Sequence, residues 1–127
     1  MNYRELLEKA KEVSQNAYVP YSKFKVGACV LTEDDSTFCG CNFENASYGL
    51  TICAERNAIG TAIANGHTRI KAIAIYSPNE DNCFPCGACR QVMTEFRAGS
   101  DMDIVTEVKG EPQIYKLSYL MPESFKL

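Results

Sequence analysis

Two short stretches combine residue types that do chemistry: Cys53-Ala54-Glu55-Arg56 and Pro85-Cys86-Gly87-Ala88-Cys89. Cysteine thiolates bind metal ions, and a carboxylate two residues from such a ligand can act as an acid–base group without ligating. In a chain of this composition about 0.6 Cys-x-Glu matches arise by chance, against about 0.015 for Pro-Cys-x-x-Cys, so the second motif carries the weight. Cys86 and Cys89 lie three apart and share a face if they open a helix. A helix start has unpaired N–H groups and a partial positive charge, both of which favour thiolate over thiol. If Cys53 opens a neighbouring helix, three sulfurs can converge on one point. Three protein ligands with a fourth position open is the arrangement of a catalytic zinc, here Cys53, Cys86 and Cys89 with Glu55 beside them.

The elements that must position these groups are legible from periodicity. Asn2 and Glu5 resemble a capping box, and Leu6, Leu7, Ala10, Val13 and Ala17 recur at helical spacing. This predicts a first helix that includes Ala17 and ends before Pro20. Phe24, Val26, Ala28 and Val30 alternate as in a strand with one buried face. A turn at 33–36 should return the chain as a second strand over 37–42, followed by an aperiodic loop over 43–52. Residues 53–65 predict a helix stopped by Gly66, and 70–76 a strand apolar enough to be central. After a loop over 78–85, a helix is expected over 86–98 with Gly99 beyond it. Extended segments at 104–108 and 114–117 and a tail from Pro122 complete the chain. Strands alternating with helices predict an α/β domain, a mixed sheet covered by helices.

Composition limits the alternatives. A chain of 127 residues has room for one domain, 1–127. Hydrophobic residues at 46% and charged residues at 23% exclude a disordered or fibrous class. The net charge of −3, without a cluster of Lys and Arg, argues against a nucleic acid polymer as partner. No apolar run approaches the ~18 residues of a membrane span, and Met1-Asn2-Tyr3-Arg4-Glu5 does not begin like a signal peptide. A cytoplasmic setting is expected. There, seven cysteines, an odd number, are ligands, nucleophiles or buried thiols rather than a disulfide framework.

Three further stretches accompany the cysteine motifs: Pro20-Tyr21-Ser22-Lys23-Phe24, Asn42-Phe43-Glu44-Asn45-Ala46, and Leu120-Met121-Pro122-Glu123-Ser124-Phe125. Together they resemble the zinc-dependent cytidine deaminases, specifically the small homotetrameric branch with three cysteines, over nearly the whole chain. The resemblance implies a three-layer α/β/α fold around a mixed five-stranded sheet. It implies one Zn²⁺ per subunit on Cys53, Cys86 and Cys89, with Glu55 moving protons. The reaction would be hydrolytic deamination of free cytidine and deoxycytidine in pyrimidine salvage, at sites shared between subunits.

Three thiolates leave such a zinc site with net charge −1, and Arg56 can offset this by hydrogen bonding to two of the sulfurs; alternatively it is a solvent-exposed helix arginine. Asn42 and Glu44, by resemblance, bind ribose hydroxyls, and a carboxylate there repels phosphate, favouring free nucleosides. The resemblance also brings Ala46, Tyr48 and Ala54 to the substrate, with Tyr48 in a loop that crosses an interface. It carries Phe125 onto the base in a neighbouring subunit's pocket. Phe24 is either core or a contact of the pyrimidine.

Cys29, Cys39 and Cys41 read as buried structural thiols. Cys83 keeps rivals open. Cys83-x-x-Cys86-x-x-Cys89 matches part of an iron–sulfur run that Cys53 could complete. With Cys83 as fourth ligand the site would instead be a closed structural zinc in a non-catalytic module. Cys86-Gly87-Ala88-Cys89 alone matches a redox pair, though without the expected order of elements. Among deaminases, one acting on a related cytosine nucleoside, such as a nucleoside antibiotic, is the alternative substrate reading.

Overall fold

In the computed structural model, which describes residues 1–127, α1 (Tyr3–Ser14) begins as the capping box requires. Asn2 Oδ1 accepts from the Glu5 N–H at 2.9 Å, and Asn2 Nδ2 donates to Glu5 Oε1 at 3.2 Å. A hairpin follows, β1 (Gly27–Thr32) and β2 (Thr37–Cys41), then α2 (Ala54–Ala64), β3 (Ile70–Tyr76) and α3 (Gly87–Glu95). The chain ends with β4 (Asp103–Val108), β5 (Glu111–Lys116) and a one-turn helix, α4 (Leu117–Leu120).

The five strands form one mixed sheet in the order β2-β1-β3-β4-β5. Only β3 and β4 pair in parallel, across the crossover that contains α3. The strand side chains alternate between two cores. Ala28, Val30, Ile73, Ile75 and Ile104 face α2 and α3. Cys29, Leu31, Ala72, Ala74 and Val105 face Leu6, Leu7 and Ala10 of α1. The expected α/β layering is therefore present, with one helix on one face and two on the other.

Four expectations are corrected by tertiary contacts. The strand predicted from Phe24 begins at Gly27 and is buried on both faces, because α1 covers the side expected to meet solvent. The first helix ends at Ser14 and leaves out Ala17, since the Tyr18 N–H is taken by the Asn42 carbonyl at 3.0 Å. The third helix ends at Glu95 rather than Ala98. There the chain turns extended and pairs with Ile70, whose N–H donates to the Phe96 carbonyl and whose carbonyl accepts from the Ala98 N–H, both at 2.8 Å. Lastly, Leu117 opens a helical turn instead of closing a strand.

The helices sit close to the sheet where glycine permits it. A Cβ on Gly40 would lie 2.5 Å from the Ala58 nitrogen, so β2 and the middle of α2 pack at backbone distance. Asn57 Nδ2 donates to the Cys41 carbonyl at 2.9 Å and fixes the same helix along its axis. Gly66, with φ of +88°, reverses the chain after α2 as expected of a helix-ending glycine.

Candidate active site

Cys53 and Cys86 are the N-cap residues of α2 and α3, and Cys89 lies in the first turn of α3. The two helices pack side by side on one sheet face, which brings the three Sγ atoms within 4.8 Å of one another. Cys86 Sγ donates to Cys89 Sγ at 3.5 Å. A tetrahedral zinc with Zn–S bonds near 2.3 Å requires sulfurs roughly 3.8 Å apart, so the donor set and its spacing fit that ion. Cys83 is outside this group. Its side chain is buried with the core beneath α2 and α3, and burial pushes its thiol up to about 12. The four-cysteine readings, iron–sulfur and closed structural zinc, therefore lack their fourth sulfur.

Charge is distributed unevenly over the three sulfurs. Cys53 is pushed down to about 5, first by a hydrogen bond from Cys89 and then by the Arg56 guanidinium, against the opposing effect of burial. Cys89, as donor in that pair, is held above the ordinary thiol value. The protein's own groups thus favour a thiolate on Cys53, and a bound cation is what would stabilise three.

Arg56 is not the free surface side chain that its place on a helix allowed. Its Nη2 donates to Cys53 Sγ at 3.3 Å, and Cys89 also interacts with the guanidinium. Arg56 Nε is buried with no acceptor, leaving donor capacity beside sulfurs that become stronger acceptors when ionised. Glu55, at the second position of α2, is 5% exposed, and burial pushes its carboxyl up to about 7. A carboxyl in that range can both accept and return a proton near neutral pH.

The loop before α2 is closed by paired hydrogen bonds between the backbones of Phe43 and Ile52, at 3.1 and 3.0 Å. That closure ties the Asn42–Glu44 segment to the residue preceding Cys53. Both side chains already hold backbone. Asn42 Oδ1 accepts from the Val26 N–H at 2.9 Å and its Nδ2 donates to the Phe24 carbonyl at 2.8 Å. Glu44 Oε1 accepts from the N–H groups of Tyr21 and Ser22 at 3.0 and 3.1 Å, and Oε2 accepts from the Ser22 hydroxyl. These bonds hold the Glu44 carboxyl below its usual range, with the Ser22 hydroxyl the largest contributor. Each side chain retains one acceptor site, and Asn42 one N–H, for a further partner.

The other predicted residues separate. Phe24 is half-buried against the α2–α3 core, which favours its packing role. Ala54 is fully buried at the start of α2. Ala46 is exposed; Tyr48 is 77% and Phe125 68% exposed. Tyr48, Tyr21, Ser22, Glu44 and Thr51 line a cavity of about 360 Å³. Cys29 is buried as expected, but Cys39 and Cys41 are only half-buried, because β2 is an edge strand.

Sequence reasoning passed over the residues that hold the chain's end. Arg90 Nε donates to the Pro85 carbonyl and Nη1 to the Leu120 carbonyl, each at 2.8 Å. Gln91 Nε2 donates to the Phe125 carbonyl at 3.2 Å. Both side chains follow Cys89 directly, and this adjacency to a metal motif was the available signal.

Residues 1–104 match the family model for the cytidine and deoxycytidylate deaminase zinc-binding region. The chain belongs to the cytidine deaminase family. Cytidine deaminase from Sporosarcina psychrophila is 42% identical over 125 residues, covering 98% of this chain and 92% of that protein. The crystal structure of cytidine deaminase from Burkholderia pseudomallei superposes with a TM-score of 0.91 at 42% identity, covering 98% of this chain and all of that one. That of the Mycobacterium tuberculosis enzyme gives 0.84 at 35% identity, covering 100% and 99%. As a family member the chain is a deaminase, a hydrolase, and its sulfur cluster falls in the zinc-binding region.

Proposed function

We propose that this chain hydrolyses free cytidine and deoxycytidine to uridine and deoxyuridine, releasing ammonia, with residues 1–127 forming one catalytic domain. The observation that carries this reading is the buried Glu55 beside three sulfurs that converge from two helix starts. Cys53, Cys86 and Cys89 would hold one Zn²⁺ per subunit, which when bound supplies a Lewis acid that makes water nucleophilic near neutral pH. Glu55 accepts one proton of the water as its oxygen bonds to C4 and passes it to ring N3; it then takes the proton of the new C4 hydroxyl and gives it to the amine as the C4–N bond breaks and the C4 carbonyl forms. Arg56 draws charge from the Cys53 sulfur, which lessens the electron donation three thiolates would otherwise make.

The spare acceptor sites of Asn42 and Glu44 would take ribose hydroxyls, and the Glu44 charge would disfavour a phosphate on the same sugar. The exposed Tyr48, Leu50 and Phe125 support a homotetramer in which neighbouring subunits complete one another's sites. A site of three reduced thiols supports a cytoplasmic setting, and the proposed conversion of free nucleosides would serve pyrimidine salvage. No helix is long and apolar enough to cross a membrane.

The test is the loss of cytidine absorbance by the zinc-loaded protein, with and without a chelator and with Glu55→Gln. The chelator should abolish turnover. The variant should keep its metal yet lose about 10²–10⁴-fold in rate. Unchanged turnover in Glu55→Gln overturns the acid–base role.

A further inference from the structure

A second pair of thiols is positioned for chemistry on the opposite face of the sheet. β1 and β2 run antiparallel with Cys29 directly opposite Cys39. Both side chains lie on the α1 face, Cys29 within the core around Leu6, Leu7 and Ala10 and Cys39 packed against it. Directly opposed residues of an antiparallel ladder have Cα atoms about 4.5–5.5 Å apart, within the roughly 4.4–6.8 Å that a disulfide spans. Cys39 is the leading cause that holds the Cys29 thiol above its ordinary value, and Cys29 the leading cause that holds Cys39 below it; the Lys9 ammonium favours charge on both, and the Glu12 carboxylate opposes it on Cys39.

Access differs between them. Cys29 is fully buried. Cys39 is half-buried and opens, with Lys9, Glu12, Val13 and Asn16, onto a surface cavity of about 260 Å³. One sulfur can therefore meet a small oxidant beside a cation, while the other waits behind it in register.

We propose that Cys29 and Cys39 form a reversible disulfide on exposure to a peroxide, a modification site separate from the three clustered cysteines. The Cys39 thiolate attacks one peroxide oxygen; the O–O bond breaks, hydroxide leaves and takes up a proton to become water, and Cys39 becomes a sulfenic acid. Cys29 sulfur then attacks Cys39 sulfur. The S–S bond forms as the S–O bond breaks, and the departing hydroxide takes the Cys29 proton as a second water. Two thiols and one hydrogen peroxide give one disulfide and two waters. A dithiol reverses the step by exchange. The bridge would pin the edge strand next to Gly40, where α2 packs most closely.

The experiment treats the zinc-loaded full chain with hydrogen peroxide, alkylates the remaining thiols in denaturant, and maps the peptides by mass. The expected product lacks two hydrogens, joins the Cys29 and Cys39 peptides, and reverts with dithiothreitol. Cys29→Ser should instead leave a Cys39 sulfenic acid that dimedone traps, and Cys39→Ser should abolish both products. Cys29 and Cys39 remaining alkylatable overturns the proposal, as does a bridge from either to another cysteine. Irreversible oxidation of Cys39 in the native chain without a link to Cys29 overturns it equally.

Discussion

Cys53, Cys86 and Cys89 sit at helix starts on one face of the sheet, and Cys29 and Cys39 oppose each other across two strands on the other. The residue type is the same, yet the surroundings make different reagents of it. A hydrogen bond from Cys89 and then the Arg56 guanidinium draw Cys53 down to about 5, at a helix start whose unpaired N–H groups add positive potential. A strand offers only a small net dipole, so Cys29 and Cys39 depend on each other and on Lys9. Cys83 shows the third outcome: buried without a cationic partner and facing the charges of Glu55 and Glu80, it is pushed up to about 12. Reactivity in this chain follows from the element that carries the sulfur and the charge beside it.

Breaking one group and sparing the other gives the largest expected contrast. Cys86→Ala should lose bound zinc and all measurable turnover, whereas Cys39→Ser should retain both within about twofold, by elemental analysis and assay. Equal loss in the two variants would erase the distinction between the faces.

A smaller effect sharpens the role of the guanidinium on the cluster side. Arg56→Gln should keep its zinc and fall roughly 10–100-fold in rate, the consequence of losing a charge-assisted bond of about 1.5–3 kcal/mol. Zinc loss in this variant would make Arg56 a support for the cluster rather than a modifier of its electronics.

The two motifs that carry the chemistry were legible because each is local: three to five consecutive residues set the helix start and the sulfur together. The register that opposes Cys29 to Cys39 was not, since it depends on the conformation of the turn that joins β1 to β2 and on which face α1 covers. The ends of α1 and α3 were missed because segments distant in sequence set them. Helical periodicity continues beyond Ser14 and Glu95, but backbone pairing with Asn42 and Ile70 takes precedence there. Asn42 and Glu44 were identified as polar groups near the site, while their grip on Val26, Phe24, Tyr21 and Ser22 emerged only when the loop closed.

Packing between the cluster-bearing helix and the edge strand supplies the next test. Gly40→Ala places a methyl 2.5 Å from the Ala58 nitrogen. It should cost about 1–3 kcal/mol in a denaturant melt, as overpacking does. No loss would mean that α2 can move off the strand that joins the two cysteine regions.

The smallest effect concerns the rim of the cluster face. Glu44 is depressed in the folded chain, so its contribution is present above the unfolded value of about 4.3 and is lost as pH falls through the folded one. Between those two values the melting temperature of the native chain should decline more steeply with falling pH than that of Glu44→Gln. Parallel curves would detach the carboxylate from the stability of the Tyr21–Ser22 turn.

From the sequence alone came the α/β class, the sulfur donors, the carboxylate beside them and the capping of α1, since all of these depend on neighbours within a turn or two of chain. The tertiary structure decided which sulfurs meet, that Cys83 does not join them, and that β1 is covered on both faces. Those outcomes depend on contacts between segments tens of residues apart, where packing and strand pairing, rather than local preference, set the free energy.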